Sequence, residues 1–332
     1  MNRLRETIDA EAARTAFSGV VRVDRGDHVE LEAAYGLADR AHGVPMTPQH
    51  RLGTASVTKG FTALAVLSLV ADGALALQTP ARSVLGSDLP LIDDGVTVEH
   101  LLSHRSGIGD YVDESQLTSS ADYVMPVPVH TLVTTEDYLA VLDGHPQVSP
   151  PGTAVVYNNG AFVVLALIAE RVAGVPFADL VAARVWEPAG MVDTAFLRSD
   201  ELPGSAAAGY LYADGLRTNL LHLPVRGSGD GGAYTTAADM AAFWRALTGC
   251  RIVPERWLAE MLVPRHPSSP DSLGYGLGVW LHHDGALELH GYDAGVSFWT
   301  VHDPRSSSIW TVGCTTSEGS GPIERILRAD RA

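Results

Sequence analysis

The chain has 332 residues, 46% of them hydrophobic, enough to fill the core of one large domain or two subdomains. Its formal net charge is −16, which argues against a nucleic-acid backbone or an anionic membrane as partner, since both need clustered Lys and Arg. Two cysteines, Cys250 and Cys314, are too few and too far apart for a disulfide framework or a zinc knuckle.

In chain order, MNRLRETIDAEAARTAF has the pattern of a charged amphipathic helix without the apolar centre of a signal peptide, so a cytoplasmic protein is expected. FSGVVRVDRG and HVELEAAYG read as a β-hairpin turning at Arg25–Asp27. An apolar helix follows over about 56–72, with Asp72–Gly73 as its stop. The run FTALAVLSLVA inside it is too short to span a bilayer. From about 80 to 225 the chain turns helical: TVEHLLSHRSG, TTEDYLAVLDG, NGAFVVLALIAERVAG and PFADLVAARVWEPAG each carry helical periodicity and end on a breaker. Residues 109–133 have no clear period and read as a long loop of the kind that forms lids. GDGGAYTTAADMAAFWRAL opens another helix with Thr235 or Thr236 as N-cap. The remaining chain alternates as strands, YGLGVWLHH, ALELHG, VSFWTVHD and SSIWTVGCTT, and PIERILRAD closes it as a helix.

Two strands near the start and three near the end predict an α+β fold. Its antiparallel, five-stranded-type sheet is built from both chain ends and flanked by terminal helices, with an inserted, mainly helical lobe. The expected division is 1–78 for the N-terminal part of the α/β lobe with the nucleophile helix, 79–228 for the helical lobe, and 229–332 for the C-terminal part of the α/β lobe. A site is expected in the cleft between the lobes.

The stretch GTASVTKGFTALAV contains Lys59, the only lysine among 23 basic residues. It is also the only charged residue between Ser56 and Asp72. Burial disfavours an ammonium, and an arginine in its place could never take up a proton. Ser56 lies one helical turn earlier, so both side chains share a face near the helix N-terminus. A serine beside a basic amine is a recognised nucleophile arrangement, against the plainer reading of an N-cap serine and a snorkelling lysine. A phosphate-binding loop fails here, because Thr58 and Gly60 flank the lysine in the wrong order. No G-x-S-x-G elbow occurs in the chain.

Downstream, Tyr157-Asn158-Asn159 has the form Y-x-N. It supplies a phenol able to shuttle a proton and an amide able both to donate and to accept; the plainer alternative is a polar turn capping a helix. S-x-x-K, then Y-x-N about a hundred residues on, then a His-Gly element on a late strand form an ordered set. On it the chain resembles the serine β-lactamase and penicillin-binding-protein superfamily, in its class C and family VIII esterase branch. LLSHRSGI, PGTAVVYNNGAF, GDGGAYTTAADM and YGLGV extend the resemblance over nearly the whole chain.

The resemblance implies an acyl-enzyme on Ser56, with Lys59 and Tyr157 as the proton-transfer pair and Asn159 holding Lys59 and the substrate. It implies an oxyanion hole from the backbone N–H of Ser56 and one near Tyr292. It implies a small ester, amide or lactam as substrate; no cofactor is expected, and the spacing of possible ligands leads to no metal being expected. The third motif departs from the pattern, which is Lys or His, any residue, then Gly. In ELHGYDAGVSF, if Gly291 keeps its place, Leu289 occupies the Lys/His position; if His290 keeps its place, Tyr292 occupies the glycine position. The downstream DAGVS favours the first register. A leucine there would bind a drug's carboxylate poorly, so neutral esters or amides are expected ahead of penicillins.

Other candidates carry less. His282-His283-Asp284-Gly285 is the signal of a tight hairpin before it is a metal site. His104 is an alternative base, or a helix-end histidine holding its own loop. G-Y-G-L-G leads into a strand and is no dinucleotide fingerprint. Asp110, Asp113 and Glu114, with Tyr111 and Tyr123, lie on the lid-like loop, either as a solvated acidic stretch or as a site for a free amine. The expected function is serine hydrolysis of an ester or amide. An acyltransferase using the same acyl-enzyme and a non-catalytic penicillin-binding-like module are the alternatives.

Overall fold

The computed structural model describes residues 3–112, 119, 122–269 and 272–331. Helix α1 (Arg3–Thr15) precedes a hairpin of β1 (Gly19–Arg25) and β2 (His28–Tyr35). Gly26 supplies the positive φ, +58°, that the tight turn requires. Three short strands, β3 (Leu37–Asp39), β4 (Val44–Pro45) and β5 (Leu52–Gly53), lead to a 3₁₀ turn at Ala55–Val57. Helix α2 (Thr58–Ala71) continues from it and stops at Asp72, followed by Gly73 at φ +76°.

The helical region comprises α3 (Arg82–Leu85), α4 (Val98–Leu102), α5 (Leu139–Leu142), α6 (Asn159–Ala173), α7 (Phe177–Val181) and α8 (Glu187–Ala189). A π-helical turn at Ala182–Trp186 joins the last two. Then come β6 (Tyr234–Thr235), paired with β5, and α9 (Ala237–Thr248), α10 (Glu255–Met261), β7 (Gly274–Tyr275), β8 (Trp280–Leu281), β9 (Leu287–Asp293), β10 (Val296–Asp303), β11 (Ser308–Cys314) and α11 (Gly321–Arg331). The N-cap of α9 is Thr236, whose hydroxyl accepts from the Asp239 N–H.

The sheet runs β2-β1-β11-β10-β9-β8-β7 and is antiparallel throughout. The first and last long strands lie side by side, with Gly19 opposite Cys314 and Arg25 opposite Ser308. The five expected strands are present, and two two-residue strands extend the β9 edge. YGLGVWLHH is thus not one strand. Gly278, at φ +77°, turns the chain so closely onto α2 that a Cβ there would sit 2.4 Å from Ala63 Cβ, and β7 and β8 fold against each other.

Strand alternation sorts the core into two layers. Val20, Phe298 and Ile309 face α2, α6 and α9, beside Phe61, Phe162 and Phe243. Their neighbours Val21, Trp299 and Trp310 face α1 and α11, against Ile8, Ala12, Ile323 and Leu327. The terminal helices therefore cover one face, as expected. Among the described residues no single helix is long and apolar enough to cross a membrane.

Candidate active site

Ser56 sits in the 3₁₀ turn one residue after Ala55, which has φ +45°. A residue with a Cβ pays on the order of 1 kcal/mol for that left-handed conformation, and its surroundings hold it there. Thr54 N–H and Oγ1–H both donate to Ala233 O at 2.9 Å, the Ala233 N–H donates to Thr58 Oγ1, and Thr62 donates to Gly229 O at 2.7 Å. From the other side β9 presses on the turn. A Cβ on Gly291 would lie 2.4 Å from Ser56 N and 2.5 Å from Thr54 O.

Lys59, in the first turn of α2, is 2% exposed. Its ammonium has three donors, and all three are used: Ser56 Oγ at 2.9 Å, Asn159 Oδ1 at 2.8 Å and Asp230 O at 2.8 Å. Ser56, Lys59 and Asn159 thus converge. Tyr157 joins them differently from the expected pair. No hydrogen bond links its hydroxyl to Lys59, whose donors are already taken; instead the amine lies 5.0 Å from the centroid of the phenol ring. That ring packs 4.4 Å from the His104 ring and lines the cavity.

Asn159 opens α6 behind the N-cap Asn158, whose Oδ1 accepts from the Ala161 N–H at 2.7 Å and whose Nδ2 donates to Ile108 O at 2.9 Å. His104 is buried beneath. Its Nδ1 accepts from the Asn158 N–H at 3.1 Å, so the proton rests on Nε2, 3.1 Å from Tyr275 Oη. Burial first, then the positive charge of Lys59, hold His104 well below the ordinary histidine value. Both its nitrogens are engaged away from Ser56, so it holds its loop and the Y-x-N turn.

On β9 the side chains alternate. Leu289 is buried and meets the position of Gly60 in α2, while Gly291 makes the close approach to Ser56. Gly291 therefore occupies the glycine place beside the serine, and Leu289 stands two residues before it. His290 and Tyr292 lie at the cavity with Gly291. His290 stacks on Trp280, 5.2 Å between centroids, and its Nδ1 is 2.7 Å from Glu288 Oε1. Glu288 also meets His282 Nε2 and Arg328 Nη2, each at 2.9 Å. Burial opposes its ionisation, but the hydrogen bonds from His282 and His290 and the Arg328 charge win and hold its carboxyl well below the usual range. The Tyr292 hydroxyl donates to Glu324 at 2.7 Å, turning the side chain toward α11. Beyond the β8 pairing at Leu287–Glu288, that edge of β9 has no strand beside it among the described residues and faces the 3₁₀ turn.

These groups open into a cavity of about 960 Å³, lined by Ser56, Tyr157, Asn159, Trp280, His290 and Gly291 among others. Among the described residues, three carboxylates, Asp230, Asp293 and Glu318, and one arginine, Arg325, also line it. Tyr111 and Tyr123 contribute to the wall, whereas Asp113 and Glu114 lie outside the described residues. His282 to Gly285 form the β8–β9 hairpin. Among the described residues no group of three or more His, Cys, Asp or Glu is placed to hold a metal ion.

Sequence reasoning missed the Asp230 carbonyl and Trp280, and it read Asp110 as a lid carboxylate, whereas that carboxylate accepts from the Asn159 and Gly160 N–H groups at the start of α6. A backbone acceptor has no residue signature. The only available signal was the glycine density of GDGG, which lets the chain approach the turn: Gly231 lies 3.6 Å from the Ala55 backbone, measured from an added Cβ.

A family model described as Beta-lactamase matches residues 4–332. The esterase EstB of Burkholderia gladioli is 35% identical over 196 residues, 56% of this chain and 49% of that protein. A crystal structure of a penicillin-binding protein from Bacillus halodurans is 35% identical, with a TM-score of 0.90 over 97% of this chain and 99% of that one. The D-amino acid amidase of Ochrobactrum anthropi SV3, complexed with L-phenylalanine amide, has a TM-score of 0.80 at 25% identity, covering 99% of each chain. The chain spans between 49% and 66% of the length of the first three curated relatives it matches.

Proposed function

The chain belongs to the beta-lactamase family, and from that premise we propose that it is a serine hydrolase cleaving a small neutral or amine-bearing ester or amide through an acyl-enzyme on Ser56. The observation that carries this reading is the buried Lys59 amine 2.9 Å from Ser56 Oγ. In the neutral state the amine takes the Ser56 proton as Oγ bonds to the carbonyl carbon. The backbone N–H groups of Ser56 and Tyr292 receive the oxyanion, each worth about 3 kcal/mol in the transition state. The C–O or C–N bond then breaks, and the leaving group takes that proton from the Lys59 ammonium, directly or by way of the Tyr157 hydroxyl, which gives up its own proton and receives the one on Lys59, so the amine is neutral again. Water adds by the reverse relay, freeing Ser56 and a carboxylic acid.

The substrate preference follows from charge. Leu289 puts an apolar side chain, buried under α2, where the related motif has a cation, and among the described residues the carboxylates of Asp230, Asp293 and Glu318 line the cavity against the single guanidinium of Arg325. A substrate bearing its own carboxylate, such as a penicillin, is repelled there. A panel of short p-nitrophenyl esters, D-amino amides and a chromogenic cephalosporin, run beside Ser56→Ala, tests the reading. Ester or amide turnover exceeding cephalosporin turnover, and lost in the variant, supports it; turnover that survives Ser56→Ala overturns it. A second reading, transfer of the acyl group to an alcohol or amine, is favoured by the cavity volume, which has room for an acceptor beside the acyl chain; added acceptor would then appear in the product.

A further inference from the structure

Two of the three acceptors that hold Lys59 are themselves gripped by consecutive residues of the loop after α4. The Asp110 carboxylate accepts from the Asn159 N–H at 2.6 Å and from the Gly160 N–H at 3.0 Å. Asn159 Oδ1 in turn accepts from Lys59. The next residue, Tyr111, donates its hydroxyl to the Asp230 carboxylate, and the carbonyl of that same aspartate accepts from Lys59. The remaining donor of Lys59 goes to Ser56.

We infer that Asp110 and Tyr111 are positioning residues, which act through Asn159 and Asp230 to keep the Lys59 amine directed at Ser56. The inference rests on the acyl-enzyme reading above.

The grip is built to stay in place. Two backbone N–H groups at the start of α6 meet the Asp110 carboxylate, where the helix dipole also favours negative charge. Burial outweighs those bonds and raises the Asp110 pKa above the ordinary carboxylate value, so the geometry of the two N–H contacts, rather than charge, keeps the carboxyl in place. Burial and the Asp230 carboxylate hold the Tyr111 phenol well above its ordinary value, so it remains a donor at working pH. Tyr123 Oη donates to Tyr111 O at 3.1 Å, and Asn158 Nδ2 donates to Ile108 O, fixing the loop on both sides of the pair. Neither residue is needed as the N-cap of α6, because Asn158 fills that place. Neither is hydrogen-bonded to Lys59, whose three donors go to Ser56, Asn159 and Asp230.

The leverage is geometric. With Asp230 or Asn159 free to drift, the amine keeps its partners by following them, and its distance to Ser56 Oγ lengthens. A displacement of about 1 Å at a reacting group costs on the order of 10²-fold in rate.

The test compares Asp110→Asn, Tyr111→Phe, Ser56→Ala and the unaltered full chain on a p-nitrophenyl ester, with kcat and KM separated and thermal melting recorded. The expected result is a kcat about 10-fold lower or more in Asp110→Asn and in Tyr111→Phe, with KM within about twofold of the unaltered chain. Unchanged kcat in Tyr111→Phe and Asp110→Asn, while Ser56→Ala is inactive, overturns the inference and leaves the acyl-enzyme intact. A raised KM at constant kcat also overturns it, since the residues would then be contacting substrate. Equal turnover by Ser56→Ala and the unaltered chain instead removes the acyl-enzyme reading itself. If Asp110→Asn does not fold, Tyr111→Phe, which deletes one oxygen, decides the matter by the same kcat and KM criteria.

Discussion

Gly291→Ala isolates the contact between β9 and the nucleophile turn. Gly291 does not have a positive φ, so alanine fits its backbone and the whole effect is steric. The added Cβ would lie 2.4 Å from Ser56 N, 2.5 Å from Thr54 O and 2.9 Å from Ala55 Cβ. Ordinary contact begins near 3.4 Å, so strand and turn must part by about 1 Å. The nearest two atoms are backbone, and the turn is tied to Ala233 through Thr54 and Thr58, so neither side yields cheaply. Overpacking of this kind costs about 1–3 kcal/mol of stability, and a 1 Å displacement of Ser56 from the β9 edge costs on the order of 10²-fold in kcat. Gly60→Ala is the control. The three atoms nearest its Cβ all belong to the Leu289 side chain, the two methyls at 2.8 and 2.9 Å, which a rotamer change can move, and a helix favours alanine over glycine by about 1 kcal/mol. Ester hydrolysis and thermal melting of both variants form the assay. Gly291→Ala turning over ester at the unaltered rate, or Gly60→Ala losing as much activity as Gly291→Ala, refutes the reasoning.

Lys59→Arg keeps a positive charge but cannot take up a proton, so kcat/KM should fall by about 10²–10⁴-fold; ester hydrolysis at the unaltered rate would exclude the amine as base. His104 should stay neutral in the folded protein, with its proton on Nε2, and imidazole NMR signals should show no titration between pH 8 and 5.5. The unfolded chain protonates near 6.5, so the His104 contribution to stability is present above that value and declines below it, by up to about 1.4 kcal/mol per pH unit. A midpoint near 6.5 in the folded state would contradict this. Glu288→Gln removes a fully buried carboxylate that meets His282, His290 and Arg328, and urea melts at pH 7 should show a loss of about 3 kcal/mol. Because the Glu288 pKa is lowered from 4.5, its contribution is complete above that value and is lost only as pH falls below it; an unchanged midpoint at pH 7 would count against the network.

What was legible in the sequence was what is local or repeats. Ser56 and Lys59 are one helical turn apart, and Asn159 starts a helix whose apolar run announces itself, so each could be placed without knowing the fold. Period-two alternation in VSFWTVHD and SSIWTVGC marked both faces of the sheet. The break inside YGLGVWLHH was hidden because its cause, Gly278 against Ala63, is a contact between distant segments. The start of α2 was read as one helix from 56, whereas a 3₁₀ turn at Ala55–Val57 precedes it, held by Ala233. The β9 register stayed open for the same reason, since Gly291 declares itself only by touching Ser56 N. Tyr157 was legible as a neighbour of Lys59 but not as a ring beneath its amine, because the competing acceptor, Asp230 O, belongs to the backbone.

The most direct measurement is intact mass after incubation with a fluorophosphonate, followed by peptide mapping, for the unaltered chain and Ser56→Ala. One adduct is expected, on the peptide containing Ser56, and none in the variant. No adduct in the unaltered chain, or the same adduct retained in Ser56→Ala, would show that the serine beside the buried amine is not the nucleophile.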